Sequence, residues 1–124
     1  MDLVAYRTRR NAVAEIVSFL DRLRTKNVDA YDGCLALLDL LAEKGHQLRR
    51  PHSGALSQGL FELRCREGGI QVRVLYAFEG PGIAVLTHGI VKKKGAVPRA
   101  EIRLAHRRLK QYREDPEKHG QPLD

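Results

Sequence analysis

The residues with chemistry to offer in this chain are mostly cations. Between Lys92 and Arg113 it carries nine Lys and Arg, at 92, 93, 94, 99, 103, 107, 108, 110 and 113, against the single acid Glu101. Arg64 and Arg73 stand upstream, in segments that alternate apolar and polar residues. Several such donors gathered on one surface can hold a phosphodiester and stabilise the charge that builds on it during transfer. The same residues would equally make a plain RNA- or DNA-binding face, or a solvated helix face beside a basic loop. His88 has two readings: a hydrogen-bonded core residue, or an acid/base group beside the cluster, since strand alternation puts it on the same face as Lys92. Tyr76 and Tyr112 fall on apolar stripes and read as packing residues with the hydroxyl at the rim. Tyr112 is the one that the end of a helix could bring to the sheet face.

Other chemistries have little to stand on. The five histidines, His46, His52, His88, His106 and His119, contain no pair at metal-ligating helical spacing, and no carboxylate cluster accompanies them, so no metal site is expected. The two cysteines, Cys34 and Cys65, form no C-x-x-C pair, which speaks against a disulfide scaffold or a cysteine zinc site. Cys65 reads as a small buried residue. Neither a G-x-x-x-x-G-K-[ST] loop nor a G-x-G-x-x-G fingerprint occurs, and no nucleotide cofactor is expected. No Ser, Thr or Cys has a paired base at readable spacing, so acyl transfer is disfavoured.

The elements that must position these groups follow from periodicity. Residues 3 to 6 suggest a short strand. Val13, Ile16, Val17, Leu20 and Leu23 recur at helical spacing and predict an amphipathic helix over 11–26. A second helix is expected over 29–44, capped by Asp29 and stopped at Gly45. Residues 46–59 read as a basic loop. Residues 60–66 alternate, with Phe61, Leu63 and Cys65 facing one way and Glu62, Arg64 and Arg66 the other. Residues 70–79 repeat the pattern, with Val72, Val74, Tyr76 and Phe78 opposite Gln71 and Arg73, and 83–91 supply a largely apolar central strand. Pro98 opens a last helix running to about Glu114, and the polar tail 115–124 is expected to be loose. This order predicts an α+β domain over the whole of 1–124: N-terminal helices, a small antiparallel sheet and a C-terminal helix. With 124 residues, 43% hydrophobic and 30% charged, a packed core is within reach. The formal charge of +7 favours a polyanionic partner. No stretch reaches the roughly 20 apolar residues needed to span a bilayer, and the first residues lack a signal-peptide core, so a soluble, cytoplasmic protein without membrane contact is expected.

Four short motifs in order carry a resemblance. They are Gly59-Leu60-Phe61-Glu62-Leu63-Arg64, Val72-Arg73-Val74-Leu75-Tyr76, His88-Gly89-Ile90-Val91-Lys92-Lys93 and Pro98-Arg99-Ala100-Glu101-Ile102. Together they resemble the RelE/ParE toxin superfamily, in the phage-derived, HigB-like branch of bacterial toxin–antitoxin systems. The likeness covers residues 56–112 and extends to the two preceding helices by arrangement. Ile90 replaces the usual Phe of the branch, and GAVPRAEI replaces a more Lys- and Thr-rich loop.

The resemblance implies a RelE-like fold and a ribosome-dependent endoribonuclease, an mRNA interferase acting on translated mRNA in the 70S ribosome. It also implies a helix-turn-helix antitoxin as partner. The implied chemistry is metal-independent attack of the 2′-hydroxyl on the adjacent phosphorus. Arg64, Arg73, Lys92 and Lys93 match the family's basic strand positions, and proton transfer falls to His88 or Tyr112. Lys94, Arg66, Arg99, Arg103 and Arg107 are added as RNA-binding residues from local charge. Two alternatives stay open: a ParE-like inhibitor of DNA gyrase, and a non-catalytic basic RNA-binding or regulatory module.

Overall fold

The computed structural model describes residues 1–92 and 95–123. The chain is α+β. Strand β1 (Asp2–Tyr6) leads into helices α1 (Glu15–Lys26) and α2 (Val28–Lys44); strands β2 (Ser53–Ala55), β3 (Leu60–Cys65), β4 (Gln71–Phe78) and β5 (Ile83–Lys92) follow. Helix α3 (Arg99–Glu114), the short α4 (Pro116–His119) and strand β6 (Gly120–Leu123) complete it. The strands form one mixed sheet in the order β2-β3-β4-β5-β1-β6, in which β1 runs parallel to β5 and the other neighbours are antiparallel.

Both faces of the sheet are covered. On one, Ile16, Leu20 and Leu23 of α1 and Cys34, Leu38 and Leu41 of α2 pack on Leu63, Val72, Val74, Tyr76 and Leu86. On the other, Ala105, Leu109 and Tyr112 of α3 pack on Leu60, Leu75, Ala77 and Val85. Burial on both sides explains why the middle of β4 and of β5 is nearly continuous in apolar residues. Helix α1 approaches β5 so closely at Gly89 that a β-carbon there would lie 2.5 Å from the Phe19 ring.

Local chemistry moves several boundaries from where periodicity puts them. Helix α1 starts at Glu15, not at 11, because the Ala12 N–H donates to the Arg9 carbonyl (3.1 Å) and closes a turn first. The cap of α2 is Asn27, not Asp29: its Oδ1 accepts from the Ala30 N–H (3.1 Å) and its Nδ2 donates to the Gly68 carbonyl (2.9 Å). Pro98 stands one position before α3, with extended backbone, and its carbonyl accepts from the Glu101 and Ile102 N–H groups. The stretch read as a loop over 46–59 contains the edge strand β2.

The tail is not loose through residue 123. Asp115 caps α4 by accepting from the Lys118 N–H (3.2 Å), and β6 pairs with β1. Arg7 clamps the segment, its guanidinium donating to the Glu117 (2.8 Å) and Lys118 (3.1 Å) carbonyls. The His119 ring stacks on Tyr6 at 5.8 Å. Charge-assisted bonds of this kind contribute about 1.5–3 kcal/mol. Arg7→Ala should therefore speed amide exchange over 116–123 by roughly tenfold or more in mass-spectrometric exchange, leaving β3–β5 unchanged. Equal protection in the variant would mean that strand pairing alone holds the tail.

Candidate functional site

Cross-strand register lays out the α3-facing side of β3, β4 and β5 in rows. Leu60, Ala77 and Val85 form an apolar row beneath α3. The next is Glu62, Leu75 and His88; then Arg64, Arg73 and Ile90; then Gln71 and Lys92. Moving from the first row to the last, an apolar surface becomes a cationic one. Neighbouring rows on one face are two residues apart along each strand, so these side chains are neighbours.

A bulge makes the arrangement possible. Tyr76 pairs with Leu86 and Leu75 pairs with His88, leaving Thr87 as the extra residue in β5. Leu86 faces α1 and α2, and strict alternation from it would point His88 the same way. The bulge turns His88, Ile90 and Lys92 to the α3 side, with the Thr87 hydroxyl donating to the Leu75 carbonyl (3.2 Å).

Arg73 is 5% exposed and Glu62 6%. The Glu62 Oε1 lies 2.6 Å from Arg73 Nε and 3.5 Å from Arg64 Nε, so one buried carboxylate bridges two guanidiniums. Arg73 also donates to the Gln71 side-chain oxygen (3.1 Å) and the Val72 carbonyl (3.3 Å). Arg64 bends over the sheet edge: a β-carbon on Gly54 of β2 would lie 2.5 Å from its guanidinium nitrogen, so only glycine leaves it room there. Lys92 is 7% exposed, and its Nζ has no hydrogen-bond partner among the described residues. A buried lysine nitrogen without a partner is costly, and a bound anion would remove the cost.

His88 sits beneath α3 rather than in the open. Its Nδ1 is 3.0 Å from the Thr87 hydroxyl and its Nε2 is 3.4 Å from Glu101. Burial, and then the Arg108 charge, push its pKa below the ordinary value of 6.5, against the opposing pull of Glu101 and Glu15. The unfolded chain therefore takes up this proton before the folded one. The stability associated with neutral His88 is complete above about pH 6.5 and is lost as pH falls through the folded value. His88→Gln should flatten the decline in urea midpoint between about pH 7.5 and 5. An unchanged pH slope would assign the acid sensitivity elsewhere.

The other sequence-derived residues divide. Arg64, Arg73, Lys92 and His88 come together on one face, as the alternation required. Arg66 is exposed just past the end of β3. Arg99, Arg103 and Arg107 are exposed on α3, opposite its buried stripe, and Lys110 continues their line; among the described residues none of the four forms an ion pair. Lys93 and Lys94 lie outside the described residues. Tyr112 does not reach the cationic end. It sits 11 positions beyond Glu101, about 16 Å along the helix, and packs beside Gly120 and Val4. Glu62 was missed as a site residue. Its signal was the alternation itself, which put an acid on the same face as Arg64 and Arg73.

Among the described residues no helix is long and apolar enough to cross a membrane, and no group of His, Cys, Asp and Glu is arranged to hold a metal ion. No curated protein matches the chain. The family model for Phage derived protein Gp49-like (DUF891) matches residues 19–110, from within α1 to within α3. That span includes every row of the cationic face together with the helix that borders it. On this match over most of its length, the chain belongs to the phage-derived Gp49-like family (DUF891), a family of RelE-like toxins.

Proposed function

We propose that this protein is the toxin of a toxin–antitoxin system, of HigB-like type, and cleaves translated mRNA on the ribosome. The observation that carries the reading is the partnerless Lys92 nitrogen, buried on the same sheet face as Arg64 and the fixed Arg73–Glu62 pair. A phosphodiester supplies the charge this face lacks. Its 2′-hydroxyl attacks the adjacent phosphorus, the P–O5′ bond breaks, and a 2′,3′-cyclic phosphate and a 5′-hydroxyl result.

Lys92 and Arg64 meet the non-bridging oxygens, where charge develops. Arg73 is held too tightly to reorient, and acts as a fixed positive charge beneath them. Glu62 is better supplied than His88 to accept the 2′-hydroxyl proton, because both His88 ring nitrogens already face partners. The leaving O5′ takes a proton in return. The exposed line of Arg99, Arg103, Arg107 and Lys110 would grip RNA beyond the cut. A helix-turn-helix antitoxin and a cytoplasmic setting complete the reading by family likeness.

The test is primer extension on a reporter mRNA, with and without 70S ribosomes, for wild type and Lys92→Met. The expected result is cleavage only on ribosomes, reduced by about a hundredfold or more in the variant. Arg73→Glu would be a poor probe, since it sets a second carboxylate against buried Glu62 and would unfold the sheet end. Intact mRNA in every lane, despite growth arrest on expression, would overturn the nuclease reading in favour of a gyrase-type protein target.

A further inference from the structure

Beside the cationic face, on the outer side of edge strand β2, lies a second concavity that the mechanism does not use. It has a volume of about 210 Å³ and is lined by Leu48, Arg49, Arg50, Phe61 and the β2 residues Ser53 to Ala55. Leu48 is buried and Phe61 half-buried, which gives the pocket an apolar floor. Phe61 is braced by Tyr76 and Phe78, with ring centroids 5.6 and 5.5 Å away. Arg49 and Arg50 are exposed at the rim, and neither has an ion pair among the described residues.

The pocket and the cationic face meet at one residue. Gly54 lines the pocket, and the space where its side chain would stand is taken by the Arg64 guanidinium. A chain whose phosphate rests on Arg64 therefore has its neighbouring unit at the pocket mouth. An aromatic floor with a cationic rim suits a planar base attached to a phosphate, and it suits neither a purely apolar ligand nor a free anion.

We infer that this pocket is a nucleotide subsite: it takes the base of the nucleotide next to the phosphate held by Arg64, with Arg49 and Arg50 on the flanking phosphate. The inference rests on the nuclease reading and deepens it, since the occupant is single-stranded RNA crossing the β2 edge. Phe61 offers a face rather than a hydrogen-bond pattern, so the subsite favours a base over no base and discriminates weakly among bases.

The experiment uses two fluorescein-labelled hexanucleotides with 2′-deoxy sugars, which cannot be cleaved, one complete and one abasic at its central positions. Binding is followed by fluorescence anisotropy at low salt for wild type, Phe61→Leu, Arg49→Ala/Arg50→Ala and Lys92→Met. Wild type should prefer the complete probe by about tenfold, and Phe61→Leu should erase that preference. The double arginine variant should weaken both probes by at least several-fold. Wild type binding the two probes equally, or binding neither, overturns the subsite; so does a Phe61→Leu protein that keeps the preference. Cleavage measured in parallel separates the two claims. Ribosome-dependent cleavage lost in Lys92→Met, with no base preference in wild type, would leave the nuclease reading standing and remove only the subsite. Undiminished cleavage in Lys92→Met would remove the reading beneath it.

Discussion

Lys92→Met is expected to leave a protein that is more stable than wild type and no longer cuts. The side chain is 7% exposed, and its nitrogen has no partner among the described residues. Methionine keeps the length and the apolar stem while removing the group that must be desolvated. Replacing buried ionic groups by apolar residues of similar volume often stabilises by about 1–4 kcal/mol, so a gain of about 1–3 kcal/mol in urea unfolding is expected. The same substitution withdraws a donor from the phosphate, at about 3 kcal/mol in the transition state, or a hundredfold in rate. Opposite signs in the two assays are what mark a functional cation. A Lys92→Met protein that is less stable and still active would make Lys92 a structural residue with a partner of its own.

The sequence made this face readable in part. Alternation in 60–66 and 70–79 placed Arg64 and Arg73 on one side correctly, because both strands are regular there and their opposite face is apolar without exception. Agreement between His88 and Lys92 was likewise legible, since both lie beyond the bulge and keep a two-residue period. What alternation could not reveal was the bulge at Thr87, which decides that the His88–Lys92 segment shares a face with Arg73 at all. A bulge costs one residue of register and leaves no compositional mark in an apolar run. Strand β2 was invisible for another reason: three residues, one of them Gly54, carry no periodicity. The tail at 116–123 is polar by composition and held by backbone acceptors for Arg7, a contact across more than 100 residues that no local pattern encodes. Tyr112 failed as a site residue on distance alone, since helical spacing fixes the side of a helix and not which end of a sheet it covers.

Glu62 is the residue whose loss should damage the fold most. It lies 2.6 Å from Arg73 Nε and 3.5 Å from Arg64 Nε, at 6% exposure, and its removal strands a guanidinium that is itself only 5% exposed. Breaking a buried pair from one side costs about 3–5 kcal/mol, because the surviving charge has lost its compensation. Glu62→Leu and Arg73→Met are each expected to lie in that range by chemical denaturation. The double variant replaces the pair with two apolar side chains between Leu75 and Ile90, and should recover most of the loss. A coupling of at least about 2 kcal/mol in the cycle would follow. Activity should behave differently, being lost in all three, since restoring stability does not restore a fixed positive charge beneath the phosphate. That divergence separates two accounts of the pair. If Glu62 and Arg73 only stapled the end of the sheet, the refolded double variant would cut RNA at a rate near wild type. If they hold a charge in place for the reaction, it will be a well-folded protein with no ribosome-dependent cleavage.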